Sequence, residues 1–534
     1  MTMSSTIVFR VDASLTIGTG HLVRCRNLAR IFRGRGFDII FVYRPHKDSI
    51  VEELLDQEFT SCQLPSLNTY PVFLFESSGN IHGHWLGCPE TVDSQHFISL
   101  LRRLDITSFD YLVVDHYAIG KSWESLVKSS FPSTNIIAID DLANREHSAD
   151  YLVDANRPGF SCTNPYEHLV SKTCRLLLGP NYALSTPDYG FLSDSTPVRR
   201  NLKRILVFFG GVDSDDWCSS ALEALDCDLF RDLEIDVVLG KGAPHLSKVC
   251  DYVSHMNNAC LHLSVPTLSS LIVRADLAIG AGGTTTWERA CLGLPSLVFS
   301  VSSNQIDGAS ALETAGAGFH LKSPSPNNRI KIIRDAVLFL RNSSSDLIRM
   351  STNSKRLCDG KGLIRVLNAI LGPSGPFSLH LATISDCDLY FNWANDPFVR
   401  SQSFNSEPIL YPAHSEWFEA SLYSDSALMF ILKDCTGFPL GQIRFSRDPI
   451  HRTRIKISFS LDASARGHRL STVLLDMGLG ALCKYWEDVT IIYAQVKIGN
   501  AASLHSFLSY GFSEVASKDL SMRQFEIAPE NLVS

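Results

Sequence analysis

Several features that would assign this chain of 534 residues to a function class at once are missing. No apolar run is long enough to cross a bilayer, and residues 1–5 lack the basic and apolar regions of a secretory signal. The 14 cysteines include no C-x-x-C pair, which favours free thiols over a metal site. The formal net charge of −8 argues against nucleic acid as the main ligand. These absences predict a cytoplasmic protein without a metal, acting away from membranes and nucleic acid.

The chain instead contains short apolar strands that alternate with helical stretches. Its length exceeds what one core holds, so several domains are expected. Early strand-like runs end in polar residues such as Asp115, at the sheet edge where open α/β sheets bind ligands. Residues 190–202 look like a linker, and residues 371–376, with two prolines and two glycines, mark a boundary. We predict two doubly wound Rossmann-type domains (1–190 and 200–370) and a third domain (377–534).

A glycine turn and a helix follow the first predicted strand. The glycines are Gly18 and Gly20, and His21 then falls at the N-terminus of a helix over residues 22–32. Free N–H groups and the positive end of the helix dipole favour an anion there and disfavour a protonated imidazole. A neutral histidine beside a phosphate-sized turn suits a general base. A buried histidine that only steadies the turn is the other interpretation.

Two further turns carry residues that suit phosphate binding. One follows the strand at 204–209, and the other lies at 280–290, where glycines and threonines precede a helix. Either turn alone is weak evidence because αβ packing also needs glycines, but together they favour a diphosphate ligand. A carboxylate one turn into the second helix could accept from ribose hydroxyls. The candidates are Gly210, Gly211, Asp213, Gly282, Gly283, Thr284, Thr285 and Glu288.

Motifs over residues 5–370 occur in the order of one family. They are segment 10–25, the strand ends at 114–117 and 139–143, the turn 179–182, the run 280–295 and Asn304-Gln305. This pattern resembles the UDP-sugar hydrolases of pseudaminic acid biosynthesis (PseG/SpsG-like proteins). The resemblance implies a GT-B-like pair of domains that hydrolyses UDP-2,4-diacetamido-2,4,6-trideoxy-β-L-altrose to UDP and the free sugar. Val11 and Thr284 depart from the family pattern, which has Ala and Ser there.

The residues fit hydrolysis with inversion at the anomeric carbon. UDP is a good leaving group, so neutralising its diphosphate replaces a strong general acid. His21 would activate the attacking water, and Asp12 would orient His21 or bind the sugar, with a turn cap as its alternative. A packing role is the alternative for Tyr117. The other substrate candidates are Gly18, Gly20, Arg24, Asp115, His116, Tyr117, Asn304 and Gln305.

The third domain carries a different pattern. A strand over 454–461 leads through a basic, glycine-containing loop into a helix at 472–484, and Gly511-Phe512 follows further on. This resembles the pyrophosphate cradle of GNAT N-acetyltransferases, and segments 392–400 and 404–409 resemble the amino-sugar N-acetyltransferases of the same pathway. The resemblance implies acetyl-CoA as co-substrate and a UDP-4-amino-sugar precursor as acceptor. The implied acetyl-CoA contacts are Arg466, Gly467, His468, Arg469, Leu470, Ser471, Asn500 and Ser503.

Three departures bear on the acetyltransferase activity. Arg469 and Ser471 replace two cradle glycines, and Phe507 replaces a tyrosine that can protonate the leaving thiolate. Arg469 needs a glycine-like backbone or a shifted loop, and its side chain could clamp a CoA phosphate. The interpretation is a bifunctional enzyme, a UDP-amino-sugar hydrolase fused to an N-acetyltransferase, with other enzymes of the pathway as partners. The alternative is a GT-B glycosyltransferase with a non-catalytic acetyl-CoA-binding module.

Overall fold

The chain divides into two compact units, Met1–Val366 and Leu367–Ser534. The computed structural model describes residues 5–14, 17–46, 48–67, 82–157, 164–322, 326–517 and 519–532. Residues 15 and 16 of the N-terminal motif, and residues 1–4 of the segment tested for a signal, lie outside the described residues. Within the described ranges, no helix combines the length and the apolar character needed to span a bilayer.

The first sheet has seven parallel strands in the order β3-β2-β1-β4-β5-β6-β7. Its strands are runs of buried apolar residues, as expected for a sheet covered on both faces. Strand order reverses between β1 and β4, which opens a crevice at their carboxyl ends. The strands are β1 (Thr6–Val11), β2 (Asp38–Tyr43), β3 (Thr60–Gln63), β4 (Tyr111–Asp115), β5 (Asn135–Ile139), β6 (Tyr151–Asp154) and β7 (Arg175–Leu178). The helices are α1 (Gly20–Arg33), α2 (Val51–Leu55), α3 (Glu90–Arg103) and α4 (Lys121–Ser130), with 3-10 turns at Gly83–Trp85 and Pro180–Tyr182.

The second sheet has six parallel strands in the order β10-β9-β8-β11-β12-β13, with its own reversal between β8 and β11. The strands are β8 (Arg204–Phe208), β9 (Glu234–Leu239), β10 (Ala259–Leu263), β11 (Leu277–Ala281), β12 (Ser296–Phe299) and β13 (Gly318–Leu321). The helices are α5 (Asp188–Ser195), α6 (Trp217–Leu225), α7 (Leu246–His255), α8 (Ser269–Arg274), α9 (Thr285–Cys291), α10 (Ile306–Thr314), α11 (Pro326–Arg341), α12 (Ser344–Leu357) and α13 (Gly362–Leu371), with 3-10 turns at Asp228–Phe230 and Ser303–Gln305.

The segment predicted as a linker begins inside helix α5. Tyr189 is buried, and the Ser193 hydroxyl donates to the backbone oxygen of Cys291 at 2.6 Å. Residues 190–195 of the segment predicted as a linker are therefore helical, and they combine contacts to the second sheet's helices with exposed side chains such as Phe191.

The third sheet is mixed, in the order β14-β15-β16-β17-β18-β20-β19. Its one parallel pair, β17 with β18, is in register over three residues only, from Arg454 opposite Ile491 to Lys456 opposite Tyr493. The strands are β14 (Ser378–Leu381), β15 (Ala427–Lys433), β16 (Pro439–Arg447), β17 (Arg454–Leu461), β18 (Ile491–Lys497), β19 (Ser513–Val515) and β20 (Met522–Ile527). The helices are α14 (Cys387–Ala394), α15 (Pro397–Gln402), α16 (Tyr411–Leu422), α17 (Leu470–Tyr485) and α18 (Ala501–Tyr510), with 3-10 turns at Ile384–Asp386, Ala463–Ala465 and Pro529–Asn531. The predicted class, two doubly wound α/β sheets followed by an α+β domain, is confirmed.

Candidate functional site

His21 lies in the first turn of α1, at the carboxyl edge of the first sheet. Its Nδ1 is 2.6 Å from Oδ1 of Asp115, the last residue of β4. Burial raises the pKa of the Asp115 carboxyl, but the charge of Arg24 and the hydrogen bonds from Arg24 and His21 lower it by more. The net pKa therefore lies well below its usual value. An ionised carboxylate only accepts hydrogen bonds. The Nδ1 of His21 therefore donates to Asp115, and in the neutral imidazole Nε2 is the nitrogen with the lone pair.

Arg24, one turn further along α1, extends this pair to the neighbouring strand. Its Nε and Nη2 donate to the two Asp115 oxygens at 2.6 and 2.7 Å, and its Nη1 donates to Asp141 Oδ2 at 2.7 Å. The Tyr117 hydroxyl donates to the same Asp141 oxygen at 2.5 Å and accepts from Asn304 Nδ2 at 3.0 Å. Charge-assisted bonds of this kind fix geometry strongly. Since Asn304 follows β12, both parallel sheets contribute to the site.

A second connection between the sheets runs through Asn156. Its Nδ2 donates to Asp141 Oδ1 at 3.0 Å, and its Oδ1 accepts from Trp287 Nε1 of α9 at 3.0 Å. Asp141, Asn156 and Trp287 were not among the candidate residues from sequence. Asp141 and Trp287 lie inside motifs that the sequence already singled out, whereas no pattern marks Asn156.

Aromatic rings stand next to the base. The centroids of His21 and Tyr117 are 4.5 Å apart with the rings edge to face, and Trp85 stacks on Tyr117 at 5.7 Å. His82 lies 4.6 Å from Trp85, and burial together with the charge of Arg145 lowers the pKa of His82 to about 4. Of these rings, His82 and Trp85 were not predicted, because the segment that carries them has neither strand nor helix periodicity. Rings of this kind suit the apolar face of a sugar.

Asp12 binds Arg10 and the backbone of Arg44 rather than His21, the predicted partner. Its carboxylate accepts from the Arg10 guanidinium and, at 2.7 Å, from the backbone N–H of Arg44. Both Arg10 and Asp12 are fully buried, and an enclosed guanidinium needs such a partner. The prediction that Asp12 orients His21 is wrong: Asp115, at the end of the adjacent strand, has that position.

His116 belongs to the same buried cluster. Its Nε2 lies 3.2 Å from Asp12 Oδ2, and its Nδ1 accepts from the backbone N–H of Ala118 at 3.1 Å. The side chain is only 2% exposed. The contacts of the His116 ring are therefore to Asp12 and Ala118, which gives the predicted sugar contact no support.

The glycine turns of the two sheets approach each other. Gly18 has φ +87°, and a Cβ built on Gly20 would lie 3.9 Å from the Thr284 hydroxyl oxygen. The motif after β1 and the motif after β11 therefore meet, as a ligand shared by the two sheets requires. Thr284 is exposed and free to face such a ligand.

Gln305 braces the turn after β11. Its Oε1 accepts the backbone N–H groups of Gly282 and Val301 at 3.2 and 3.1 Å, and its Nε2 lies 3.9 Å from a Cβ built on Gly283. Thr285 follows as the first residue of α9. The side-chain oxygen of Gln305 thus holds the glycine turn in shape. The side-chain nitrogen of Gln305 and the surface of the turn are left for a ligand.

The turn after β8 is only partly as predicted. Gly210 has φ +101°, and space is open around it and around Gly211. The Asp213 carboxylate, however, accepts the backbone N–H groups of Trp217 and Cys218 at 3.0 and 2.8 Å, at the start of α6. Asp213 was predicted to contact the ligand. It caps a helix instead, because two backbone donors with no intrahelical partner face its oxygens.

Glu288 stands beside the crevice that separates the sheets. Burial raises the pKa of its carboxyl to about 7, and the Tyr189 hydroxyl donates to Oε2 at 3.1 Å. The crevice encloses about 30 Å³, the space of a single water molecule. Its polar lining includes Arg24, Asn27, Asp141, Asn156, Ser185, Thr284 and Glu288.

In the Leu367–Ser534 unit, the predicted cradle precedes α17. Gly467 has φ +83° and Arg469 has φ +58°, so Arg469 adopts the left-handed backbone that its position required. No side-chain hydrogen bond from Arg469 caps α17, which begins at Leu470. The backbone N–H groups of this first turn are therefore available to an anion.

The side chains around the cradle mostly bind the protein itself. Arg466 Nη2 lies 2.8 Å from Asp396 Oδ1, Ser471 Oγ accepts from Ser506 Oγ at 3.2 Å, and His468 Nδ1 lies 3.0 Å from a Cβ built on Gly372. These contacts position the loop and leave its backbone as the donor surface.

Asn500 and Ser503 have a local role. The Asn500 side-chain oxygen accepts the backbone N–H of Ser503 at 3.1 Å and so caps α18. This cap uses the Asn500 side-chain oxygen, so the predicted acetyl-CoA contact of Asn500 remains for its side-chain nitrogen or backbone to make. Phe507 packs against Phe459 and Phe512 at centroid distances of 5.4 and 5.0 Å, so its ring belongs to the core.

One cluster of potential metal ligands occurs among the described residues. It consists of Asp236, Cys260 and His262. Asp236 already accepts from Arg274 at 2.7 Å and from Arg204 at 3.0 Å. Two guanidinium groups neutralise this carboxylate, which makes it a poor ligand for a cation.

The chain therefore has two doubly wound α/β sheets with a histidine–aspartate pair at the carboxyl edge of the first. No protein-family model matches the chain. The chain is 25% identical over 361 residues to the spore coat polysaccharide biosynthesis protein SpsG of Bacillus subtilis, covering 66% of this chain and 94% of that protein. It is 22% identical over 273 residues to the UDP-2,4-diacetamido-2,4,6-trideoxy-beta-L-altropyranose hydrolase of Campylobacter jejuni, covering 51% and 83%. It is 19% identical over 529 residues to the uncharacterized protein MJ1062 of Methanocaldococcus jannaschii, covering 95% and 96%.

Two solved structures also resemble parts of the chain. MurG of Acinetobacter baumannii matches 68% of this chain and 99% of its own, with 13% identity and a TM-score of 0.46. The spermidine N-acetyltransferase of Vibrio cholerae, in complex with CoA and spermine, matches 29% and 96%, with 15% identity and a TM-score of 0.27. The fold assignment rests on the strand order and register given above.

Proposed function

We propose that the Met1–Val366 unit hydrolyses a UDP-linked amino sugar, with UDP-2,4-diacetamido-2,4,6-trideoxy-β-L-altrose as substrate. The observation that most directly supports this proposal is the His21–Asp115 pair, which Arg24 fixes at the carboxyl edge of the first sheet. Similarity to the Campylobacter jejuni hydrolase and to SpsG supports the substrate class. The proposed compartment is the cytoplasm, in keeping with the free thiols of the 13 described cysteines.

In the proposed reaction, His21 Nε2 takes a proton from water as the water oxygen bonds to the anomeric carbon. The bond from that carbon to the diphosphate oxygen breaks, UDP leaves with the electron pair, and attack from the opposite face inverts the centre. Asp115 holds the Nδ1–H tautomer and stabilises the imidazolium that forms. The proton passes to solvent afterwards, which restores the base.

The second sheet would hold the UDP. Open space at Gly210, Gly211 and Gly283 would let the diphosphate approach the backbone, whereas the Gly282 N–H is already bound by Gln305. The Thr284 and Thr285 hydroxyls can donate to the diphosphate oxygens. We assign Glu288 to accept from the ribose hydroxyls beyond them. Asn304 reaches the site from the same sheet through its bond to Tyr117.

We propose acetyl-CoA-dependent N-acetylation of the UDP-4-amino-sugar precursor for the Leu367–Ser534 unit. The supporting observation is that β17 and β18 stay in register over three residues only, beside a glycine-containing loop and an uncapped helix. The loop's backbone N–H groups and the dipole of the 16-residue α17 fit a pyrophosphate. Bound acetyl-CoA supplies the acetyl thioester. Phe507 carries no hydroxyl, so it donates no proton to the thiolate.

The intact protein, incubated with the UDP-4-amino sugar, tests both activities at once. With acetyl-CoA we expect acetylation followed by UDP release; without it we expect neither. If only the pre-acetylated nucleotide sugar releases UDP, the hydrolase stands and the acetyltransferase proposal fails. UDP release that requires an added acceptor, with little free sugar, would favour a glycosyltransferase instead.

The role of His21 has its own test. We expect His21→Asn to lower the hydrolysis rate by about 10²–10⁴-fold, the usual contribution of a general base. The Kd for UDP should stay within about threefold, because no contact to the leaving group is removed. Near-normal turnover in this variant would exclude His21 as the base.

A further inference from the structure

We propose that Asn156 is a positioning residue that holds the base His21 in register with the nucleotide-side helix α9. The inference rests on the proposed hydrolase function and adds a residue that no sequence motif marks. Asn156 contacts neither His21 nor the glycine turns. It acts through a chain of hydrogen bonds that joins both sheets.

The chain is continuous from the second sheet to the base. Trp287 Nε1 donates to Asn156 Oδ1 and Asn156 Nδ2 donates to Asp141 Oδ1, each at 3.0 Å. Arg24 then bridges Asp141 and Asp115 with bonds of 2.6 to 2.7 Å, and Asp115 Oδ1 lies 2.6 Å from His21 Nδ1. The orientation of His21 thereby depends on a group of α9.

The middle of this chain has little freedom to move. Asn156 is 8% exposed, and its backbone N–H donates to Asp154 Oδ1 at 2.9 Å. A Cβ built on Gly308 of α10 would lie 3.1 Å from Asn156 Oδ1 and 3.4 Å from the Trp287 ring. Gly308 therefore makes room for the Asn156–Trp287 pair, and the pair is held from three sides. An amide with both ends satisfied in a buried site specifies one geometry.

This chain of hydrogen bonds differs from ordinary packing because it begins at the proposed nucleotide-binding helix and ends at the proposed base. Trp287 is three residues after Thr284, in the motif proposed to hold UDP, and His21 is the proposed base. A shift of α9 would be transmitted to Asp141 and Arg24 before it reached His21. Small misplacements of a reacting group cost large rate factors, so the bond at Asn156 should affect kcat more than nucleotide affinity.

The test is Asn156→Ala, alone and combined with His21→Asn, with UDP release followed under saturating substrate. We expect kcat to fall about tenfold or more, as for loss of a hydrogen bond to a charged group. The Kd for UDP should change by less than about threefold. In the His21→Asn background, Asn156→Ala should cause no further loss, because Asn156 acts through His21. Asn258→Ala is the matched control, since it also removes two side-chain hydrogen bonds, here both donations, to the Phe230 and Leu233 backbone oxygens.

Gly308→Ala serves as a second variant, because it displaces Asn156 without removing a hydrogen-bonding group. It should reproduce the kcat loss even if Asn156→Ala does not fold. The inference would be overturned if Asn156→Ala lowered kcat by the same factor in the wild-type protein and in the His21→Asn variant. It would also be overturned by a large loss of UDP affinity with kcat unchanged. If the wild-type protein hydrolyses the substrate and both variants do so at its rate, only the inference fails. If the wild-type protein releases no UDP, the proposed function fails with it.

Discussion

The two candidate sites are built by opposite means. In the Met1–Val366 unit, the key side chains bind one another: Arg24 serves Asp115 and Asp141 at once, and both carboxylates are buried. In the Leu367–Ser534 unit, the loop offers backbone N–H groups, while side chains such as Arg466 and Asn500 are engaged locally. The first site depends on residues far apart in sequence, and the second on six consecutive residues. Single substitutions should therefore damage the first far more than the second.

The largest expected effect comes from Asp115→Asn. The Asn side chain can donate to Nδ1 of His21, which would place the imidazole proton on Nε2 and remove the lone pair that accepts from water. We expect the hydrolysis rate to fall about 10³–10⁴-fold, the size seen when an orienting aspartate is replaced in this way. UDP affinity, measured by calorimetry, should change little.

Asp236→Asn is the matched control for that variant. Asp236 is a buried strand carboxylate paired with Arg204 and Arg274, so the change in charge and in arginine pairing is comparable. It lies outside the proposed site, and its hydrolysis rate should stay near that of the wild type. A similar rate loss in both variants would show that Asp115 matters for stability rather than for orienting His21.

A medium effect is expected from Glu288→Gln and depends on pH. The folded-state pKa of Glu288 is raised to about 7, so the folded protein binds a proton between about pH 4.5 and 7 that the unfolded chain does not. The wild type therefore loses stability as pH rises through this window, and the Gln variant does not. When the pH is raised from 5 to 8, the unfolding free energy of the wild type should fall by about 2 kcal/mol relative to that of Glu288→Gln.

Denaturant unfolding at a series of pH values measures this shift. Tyr189→Phe keeps the Glu288 carboxyl but removes a hydrogen bond that lowers its pKa, so the pH dependence of that variant should be at least as large as that of the wild type. A stability difference between Glu288→Gln and wild type that does not change with pH would contradict the raised pKa.

The smallest expected effect concerns Arg469, whose left-handed backbone disfavours any residue with a Cβ. Arg469→Gly should raise the free energy of unfolding relative to Arg469→Ala by about 1 kcal/mol. The two variants lack the same guanidinium, so their acetyl-CoA affinities should match each other. Thermal unfolding and acetyl-CoA titration check the two statements, and equal stability of the Gly and Ala variants would contradict the first.

The sequence predicted local features well and long-range pairings poorly. Strand β1, the glycine turn and the helix at His21 follow from apolar runs and glycine positions, as do the Arg469 conformation and the fold class. The partner of His21 does not follow, because Asp12 and Asp115 both end neighbouring strands. The choice between them depends on the buried guanidinium of Arg10, which engages Asp12. Asn156 has no periodic or motif signal, since its importance comes entirely from what the fold places around it.

Cys25 gives the His21 site a built-in chemical reporter. Its thiol lies 3.5 Å from Asp115 Oδ2, and burial, with the charge of that carboxylate, raises the thiol pKa well above its usual value. A protonated, enclosed thiol reacts slowly with alkylating reagents. The rate at which Cys25 is alkylated, read by mass spectrometry against the exposed Cys250 and Cys435, therefore measures how often this part of α1 opens in the absence of any substrate.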